Sequence, residues 1–249
     1  MNLGEVFQKY GAVVFFDTET NGLDARSCRI IELAAIRVER DPRGVLHIAD
    51  NADLFVKLPA GEKIPEKIVE LTGITDAMLE TEGVTEAEAA AVFSDMIGVD
   101  KGPVLLVAHN AQFDLLFVRE MLRRNPVWGH PGNGEQLLEI ADYLDSLTVY
   151  KDRRPYPHKL ANAISAYKLQ DKVYNSHRAI DDVAALFEVV KAMDNERADL
   201  LNYVNLFGYN PKYGVSGPRI HGVTYWPQHF NNYMQAPSYT LPARVKRNK

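Results

Sequence analysis

Two acidic residues separated by a single position, Asp17 and Glu19, directly follow a short apolar run near the start of the chain. The run at residues 12–16 (AVVFF) predicts a buried strand, and side chains two positions apart on a strand point to the same face. Like charges held side by side repel, so a buried pair requires a proton or a cation. Because carboxylate oxygens are favoured ligands of Mg2+ and Mn2+, the pair indicates a metal site. The alternative is a strand that ends in a solvated acidic turn.

A third acid, Asp114, follows a second apolar run at residues 103–108 (PVLLVA). That run predicts another buried strand, and Asn110 is the predicted N-cap of the helix that follows. In open α/β sheets, binding sites gather at the carboxyl ends of the strands. Asp114 is therefore expected at the sheet edge that holds Asp17 and Glu19. Its alternative role is to stabilise the helix dipole.

A fourth acid lies in a predicted helix at residues 178–193. The apolar stripe of this helix consists of Ala179, Val183, Leu186, Val190 and Met193. Asp182 lies on the flank of the stripe and is predicted to face inward, whereas Asp181, about 100° further round, is predicted to be a solvated surface charge. His177 directly precedes the helix, where an imidazole could reach the same site. The alternative for His177 is an ordinary cap or surface residue.

The remaining pattern predicts the framework that positions these residues. Strands are predicted at residues 12–17, 30–38, 45–58, 103–108 and 137–144, with a DPRG turn signal that joins the second and third as a hairpin. Helices are predicted at residues 66–71, 75–79, 85–97, 110–124, 159–167, 178–193 and 195–207, with a further short helix capped by Asp145 and Ser146. This order predicts an α/β fold with a mixed five-stranded sheet flanked by helices.

The composition fits one large globular domain or a domain with an extension. The chain has 249 residues, of which 46% are hydrophobic, and a formal net charge of -5. Apolar runs fall short of the ~20 residues that span a bilayer, and the first residues lack a signal-peptide pattern. A single cysteine, Cys28, excludes an intramolecular disulfide and favours a reducing compartment. We therefore expect a cytoplasmic protein without a membrane partner.

The end of the chain differs in charge from the rest. Residues 201–249 contain no aspartate or glutamate but several lysines and arginines, interleaved with aromatic residues. We expect residues 1–195 to form one domain and residues 196–249 to form a C-terminal helix and a basic, aromatic extension on or beside it. Aromatic residues between positions 203 and 240 are expected to pack the extension against the domain, with a solvated basic tail at 244–249. Contact with nucleic acid is the alternative.

Three ordered motifs carry a family resemblance. They are DTET at residues 17–20, HNAQFD at residues 109–114 and HRAIDD at residues 177–182. In order and spacing they resemble the exonuclease motifs of the DEDD superfamily, histidine subclass, and most of all the epsilon-type proofreading exonucleases of bacterial replicative polymerases. The resemblance covers residues 10–195 and includes LTGIT at residues 71–75 and DSL at residues 145–147. It implies a ribonuclease-H-like fold and 3′→5′ exonuclease activity.

The resemblance also implies a two-metal site with two divalent cations, Mg2+ or Mn2+. Two such ions ~3.5–4 Å apart can activate a water and stabilise the charge that develops on a phosphodiester. On this hypothesis Asp17 bridges both ions, Glu19 and Asp182 complete the site of one, and Asp114 serves the other. His177 accepts the proton from the attacking water, for which an unperturbed pKa near ~6.5 is suitable.

Substrate contacts are likewise implied by the resemblance. Leu23 is expected to wedge against the terminal bases, and Phe113 to contact the terminal sugar or base; ordinary core packing is the alternative for both. The other residues expected beside the terminal nucleotide are Thr18, Thr20, His109 and Asn110. Stacking of bases on aromatic rings tolerates any sequence, which suits an exonuclease.

Three functions compete at this point. The first is a DNA exonuclease of the proofreading or repair type, which releases nucleoside 5′-monophosphates from single-stranded or frayed 3′ ends. A DNA polymerase subunit is its candidate protein partner. The second is an exoribonuclease that trims RNA 3′ ends with the same chemistry, since the residues do not read the 2′-hydroxyl. The third is an inactive nucleic-acid-binding module on the same fold. The complete set of acids and His177 favours an enzyme, and DNA is favoured over RNA.

Overall fold

The computed structural model describes residues 3–98, 102–134, 136–173 and 178–228. Within these ranges the strands are β1 (Ala12–Thr20), β2 (Ile30–Arg40), β3 (Leu46–Phe55), β4 (Val104–Ala108), β5 (Asp142–Asp145), β6 (Leu206–Tyr209) and β7 (Thr224–Pro227). The helices are α1 (Val6–Lys9), α2 (Glu66–Thr72), α3 (Asp76–Glu82), α4 (Glu86–Ile97), α5 (Ala111–Arg124), α6 (Leu137–Ile140), α7 (Ser146–Arg153), α8 (Leu160–Ala166) and α9 (Ala179–Glu196).

The main sheet is mixed and has five strands in the order β3-β2-β1-β4-β5. β1, β2 and β3 form an antiparallel meander, whereas β4 and β5 run parallel to β1. This confirms the predicted α/β fold with a mixed five-stranded sheet. β1 pairs with β4 only as far as Phe15, so the acidic end of β1 continues beyond the last pair. The carboxyl ends of β1 and β4 therefore meet at one edge of the sheet.

Helices cover both faces of the sheet, and β1 separates the two layers. Val13 and Phe15 pack into a cluster with α7, α8 and α9, while Val14 and Phe16 pack into a cluster with α4 and α5. Each of these side chains is fully buried, which stabilises the fold by about 1.5–3 kcal/mol per large apolar residue. By the same alternation, the acids at odd positions of β1 continue the face that α9 covers.

Local predictions hold where capping signals are strong. Thr85 and Glu88 form the predicted capping box at the start of α4, with Thr85 N donating to the Glu88 carboxylate at 2.7 Å. The prediction of a strand over residues 137–144 is wrong in its first half. Leu137 and Leu138 form one buried turn of helix, α6, and β5 begins only at Asp142. Short apolar runs suit either structure, and tertiary packing decides between them.

The predicted helix over residues 195–207 is also wrong. α9 ends at Glu196, one 3-10 turn follows at Leu200–Tyr203, and the chain then enters β6. Asn205 adopts a positive φ of 57° and exchanges hydrogen bonds with Tyr143, whose backbone N–H donates to Asn205 Oδ1 at 2.8 Å. This anchor beside β5 places residues 206–209 as an extended segment, which pairs in parallel with β7.

The described part of the C-terminal extension packs against the main domain. Tyr203, Phe207 and Trp226 belong to its apolar clusters, and Gln228 Nε2 donates to the Thr148 carbonyl at 3.0 Å. Tyr213 is exposed, so the packing prediction is wrong for this residue. The aromatic residues beyond position 228 and the basic tail lie outside the described residues, so the expectations for them stay predictions. In the portion of the chain that the structure describes, every helix is too short or too polar to cross a bilayer.

Candidate active site

Three carboxylates from two elements meet at the acidic end of β1. Asp17 and Glu19 project from one face of this strand, and Asp182 projects from the first turn of α9, which packs across that face. One oxygen from each of the three lies within 4.8 Å of the other two. The structure therefore brings together the acids that the sequence motifs single out from positions far apart in the chain.

Asp114 reaches the same edge from the opposite face of the sheet. It lies in the first turn of α5 and is 3% exposed. Its Oδ1 accepts hydrogen bonds from the backbone N–H of Thr18 at 3.1 Å and from Thr18 Oγ1 at 2.7 Å. Thr18, between Asp17 and Glu19 on β1, thus holds Asp114 beside the other acids. A contact of Thr18 with substrate stays a prediction.

Burial raises the pKa of all four carboxyl groups, and the charges of neighbouring carboxylates add to the effect. Burial is the largest cause at each of them. The pKa of Asp17 is raised well above its usual range, next by the charges of Asp114 and Asp182. The pKa of Glu19 is raised to about 8, and those of Asp114 and Asp182 to about 7. Without a cation, Glu19 therefore retains its proton at neutral pH, and Asp114 and Asp182 are partly protonated.

Asp181, predicted as a solvated surface charge, neighbours Asp182 in the first turn of α9, and its solvation stays a prediction. The side chain of Asp181 is half-buried, and its charge is the second cause, after burial, of the raised pKa of Asp182. The acidic character of the α9 end of the site is therefore stronger than the helical spacing alone indicated.

The donor set fits divalent cations. Asp17, Glu19 and Asp182 supply convergent carboxylate oxygens, and Asp114 lies close enough to Asp17 to raise its pKa. Hard divalent cations prefer oxygen ligands, and a cation would relieve the repulsion among these groups. These four residues would hold the metal.

Metal-free protein is expected to lose stability as the pH rises from about 6 to about 8.5. The folded-state pKa values of Glu19, Asp114 and Asp182 lie above their ordinary values, so the folded chain binds more protons than the unfolded chain across this range, and stability falls with pH. Added Mg2+ should therefore raise the thermal midpoint more at pH 8.5 than at pH 6. Thermal unfolding with Mg2+ and with EDTA at both pH values measures this; an equal Mg2+ effect at both would contradict it.

His109 is held by protein groups on both sides of its ring. Nδ1 lies 2.9 Å from Ser146 Oγ, and Nε2 lies 2.9 Å from the carbonyl oxygen of His158. Burial lowers the pKa of His109, so the ring is neutral at pH 7. Because a carbonyl only accepts, Nε2 carries the proton and Nδ1 accepts from Ser146. The ring therefore braces the end of β4 against the loop before α8.

Asp145 is a supporting residue whose role in the site the sequence did not reveal. Besides the predicted cap of α7, where it accepts from Leu147 N and Thr148 N, it accepts from the backbone N–H of Asn110 and Ala111 at 2.9 and 3.2 Å. Asn110 does occupy the N-cap position of α5 but makes no side-chain cap bond, contrary to the prediction. Backbone N–H groups at the start of α5 that have no partner within the helix donate to Asp145 instead.

One cavity borders the carboxylates, and a second lies beside Leu23 and Phe113. The larger, about 540 Å3, is lined by Asp17, Asp182, His109 and Asn110 and by a wall that the motifs did not single out, consisting of Lys151, Tyr156, His158 and Lys159. The smaller, about 180 Å3, is lined by Leu23 and Phe113 together with residues 216–218 of the extension. The larger cavity gives a phosphate access to the acids between carboxylates and lysines.

Leu23 projects into solvent beside the smaller cavity. It is 86% exposed, so the core-packing alternative is wrong for this residue. Phe113 is partly buried, with its ring centre 4.9 Å from that of Phe117 and tilted against it, so Phe113 packs with the core while it lines the cavity. Thr20 is buried and its hydroxyl donates to the Gly22 carbonyl at 2.6 Å, which shapes the turn that presents Leu23.

His177 lies outside the described residues, and its role stays a prediction.

Residues 14–190 match the Exonuclease (RNase_T) family. The chain belongs to this exonuclease family. The predicted membership of the DEDD superfamily is thereby confirmed, and the histidine subclass stays a prediction.

Relatives of this exonuclease domain include DNA polymerase III proteins and a ribonuclease. It is 30% identical over 194 residues to the DNA polymerase III subunit epsilon of Treponema pallidum, covering 76% of this chain and 80% of that protein. It is 29% identical over 206 residues to the PolC-type DNA polymerase III of Clostridium perfringens, covering 80% of this chain but only 12% of that protein. It is 32% identical over 124 residues to Ribonuclease T of Vibrio parahaemolyticus, covering 47% of this chain and 58% of that protein.

Solved structures support the fold. Exonuclease I of E. coli in complex with a dT13 oligonucleotide matches with a TM-score of 0.62 at 21% identity, covering 78% of this chain and 43% of that chain. Together with the sheet order, this match confirms the predicted ribonuclease-H-like fold.

Proposed function

We propose that this chain is a 3′→5′ exonuclease that releases nucleoside 5′-monophosphates from single-stranded or frayed DNA ends. One observation carries the proposal: in a member of an exonuclease family, Asp17, Glu19 and Asp182 place carboxylate oxygens within 4.8 Å of one another at the end of β1. Such a cluster suits hydrolysis of a phosphodiester by two divalent cations, Mg2+ or Mn2+.

Each acid has a distinct place in the proposed mechanism. When bound, the cations would activate the attacking water and neutralise the charge on the phosphate. Asp17, between the other acids, would contact both ions; Glu19 and Asp182 would complete one site, and Asp114 would serve the other. His177 would take the proton from the attacking water. Attack at phosphorus breaks the bond to the 3′ oxygen of the upstream nucleotide, so the phosphate leaves with the terminal nucleoside.

The groups around the carboxylates support a nucleic-acid substrate. Lys151 and Lys159 on the wall of the larger cavity attract phosphates toward the acids. Leu23 and Phe113 line the smaller cavity, where bases have apolar and aromatic surface to contact. His109 and Asn110 line the same cavity and would shape the pocket of the terminal nucleotide.

Replacing Leu23 with alanine is expected to raise the KM for single-stranded DNA about 10- to 150-fold, since burying a leucine side chain against a base contributes about 1.5–3 kcal/mol. The thermal midpoint should stay unchanged, because the side chain is 86% exposed. Steady-state kinetics and thermal unfolding of the variant measure both quantities. Ile48→Ala, another exposed apolar residue, is the control and should leave KM unchanged. Unchanged kinetics of Leu23→Ala would remove the wedge role.

RNA is the second candidate substrate, and one observation favours it: part of the chain is similar to Ribonuclease T. DNA is preferred because the epsilon and PolC-type relatives align with 76–80% of this chain, against 47% for Ribonuclease T. The same relatives make a DNA polymerase the proposed protein partner. We further propose that residues 1–195 are the exonuclease domain and residues 196–249 its extension, in a cytoplasmic protein.

Nucleotide release from 3′-labelled single-stranded DNA and matched RNA tests the proposal. The reactions contain Mg2+, Mn2+ or EDTA, and the products are separated as nucleotides. Immediate release of labelled 5′-monophosphate from DNA, absent with EDTA, is the expected result. Faster release from RNA than from DNA would make RNA the preferred substrate. No release from either substrate by folded protein would overturn the enzymatic proposal and favour the binding module.

A further inference from the structure

Glu32 is a glutamate without solvent exposure, and it lies beside the candidate metal site. It sits on β2 directly opposite Glu19 of β1, and directly opposed residues share a face of the sheet. A buried carboxylate is costly unless hydrogen bonds or a counter-charge stabilise it. The contacts of Glu32 therefore indicate what its burial achieves.

Glu32 uses both of its oxygens to hold the start of α9. Its Oε1 accepts from Arg178, with Nε at 2.8 Å and Nη2 at 2.7 Å. Its Oε2 accepts from the backbone N–H of Ala179, the first residue of α9, at 3.0 Å. The Arg178 guanidinium also lies 4.8 Å from the ring centre of Phe55 on β3. Together these contacts form a Glu32–Arg178 latch at the start of α9.

The latch lies within one helical turn of Asp182. The backbone N–H of Asp182 donates to the Arg178 carbonyl at 3.1 Å, so the first turn of α9 is built on the residue that Glu32 holds. Arg178 is the N-cap residue of α9 but makes no side-chain cap bond, and Glu32 supplies an acceptor in its place. Successive side chains on a helix point in directions 100° apart, so the direction of Asp182 depends on the rotation of α9 about its axis. A small rotation of α9 would therefore move the Asp182 carboxylate away from the other acids.

We propose that Glu32 is a positioning residue for metal binding: with Arg178 it sets the rotation of α9, and thereby the distance of Asp182 from Asp17 and Glu19. The inference rests on the proposed function, because it requires these carboxylates to hold divalent cations. Partners that orient metal ligands contribute about 10–100-fold in metal affinity or activity. The latch extends the site from the strand that carries the acids to its neighbour β2.

The charges of Glu32 and Arg178 could also affect Mn2+ affinity directly, by simple attraction or repulsion of the cation. Substitutions distinguish this explanation from the latch by whether they tighten or weaken Mn2+ binding. Glu32→Gln removes a negative charge, so both the latch and simple attraction predict weaker metal binding. Arg178→Gln removes a positive charge; simple attraction then predicts tighter binding, whereas the latch predicts weaker binding. Arg178→Lys keeps the charge but loses the planar fork of donors, and the latch predicts weaker binding here too.

Mn2+ binding to the metal-free 249-residue chain is measured from the electron paramagnetic resonance signal of free Mn2+, beside nucleotide release from single-stranded DNA. All three variants are expected to bind Mn2+ about 10–100-fold more weakly than the wild type. At fixed Mn2+, kcat should fall more than the KM for DNA rises. The double variant Glu32→Gln/Arg178→Gln should lose no more Mn2+ affinity than the single variant with the larger loss, because the effects of substituting two contacting partners are not additive.

Glu39→Gln is the matched control. Glu39 lies on the same strand as Glu32 and pairs with Arg37 at 2.7 Å, opposite Ala12 at the far end of β1. Its removal should leave Mn2+ binding at the wild-type level. Circular dichroism verifies folding, and if Glu32→Gln fails to fold, the two Arg178 variants still give the decisive sign.

Tighter Mn2+ binding by Arg178→Gln would overturn the latch, as would unchanged binding in all three folded variants. In either case a wild type that binds Mn2+ and releases nucleotides leaves the proposed function standing. A wild type that neither binds Mn2+ nor releases nucleotides would overturn the proposed function, and the latch with it.

Discussion

Replacing Asp17 with asparagine is expected to abolish metal-dependent nucleotide release and, at the same time, to stabilise the metal-free protein at pH 8. Loss of activity follows because Asp17 is the acid that lies among Asp114, Asp182 and Glu19, each of which raises its pKa. In other active sites, removing one stabilising group costs about 10²–10³-fold in kcat. We expect at least that loss here, since Asp17 would contact both cations.

The gain in stability has the same physical origin. The pKa of Asp17 is raised in the folded state, so at pH 8 the folded chain bears the cost either of a proton that the unfolded chain has released or of a crowded buried charge. Asparagine is nearly the same size and removes that cost. For a chain of this length, each kcal/mol gained raises the thermal midpoint by about 2–4 °C.

Thermal unfolding in EDTA at pH 8 and nucleotide release with Mg2+ measure the two effects. Asp50→Asn is the control, because Asp50 is exposed on β3, and both quantities should stay at the wild-type level. An Asp17→Asn variant with wild-type activity would contradict the metal-binding role. A lowered midpoint in EDTA would show that the acids do not repel one another as their burial implies.

Replacing His177 with alanine is expected to lower kcat about 10²–10⁴-fold, the usual contribution of a general base. Mn2+ binding should be retained, because His177 is assigned to the proton and the four carboxylates to the metal. The variant therefore separates proton transfer from metal binding, whereas Asp17→Asn removes both. Single-turnover nucleotide release and Mn2+ titration provide the two measurements.

The pH profile gives an independent test of the same residue. In the wild type, kcat should rise with pH as the base loses its proton, around its ordinary pKa of ~6.5. In His177→Ala this rise should disappear. His47→Ala is the control, because His47 is exposed on β3. Wild-type kcat and an unchanged profile in His177→Ala would exclude the general-base role.

Strong local signals in the sequence predicted much of the framework. The alternation in β1, the Thr85 capping box and the Asp145 cap of α7 depend on neighbours in the chain, and all three are present. Residues 137–144 and 195–207 depart from their predicted structure because that structure depends on distant partners. Asn205, for example, turns the chain by bonding to Tyr143, which periodicity does not reveal.

The acids of the candidate site were predictable, whereas their supports were not. Asp17, Glu19, Asp114 and Asp182 stand in ordered motifs, so the sequence determined which residues the site contains and what metals suit them. The sequence around Glu32 predicts only an apolar strand. The groups that stabilise its charge come from the start of α9, which is far away in the chain.

The tertiary structure alone decided how the acids meet. Asp17 and Glu19 share a face with α9, while Asp114 comes from the opposite face through Thr18. Strand order and helix packing set these distances, and both depend on burial summed over two apolar clusters rather than on any local pattern. The sequence identifies the acids directly, but the burial and the neighbouring charges that raise each pKa exist only once the layers have packed.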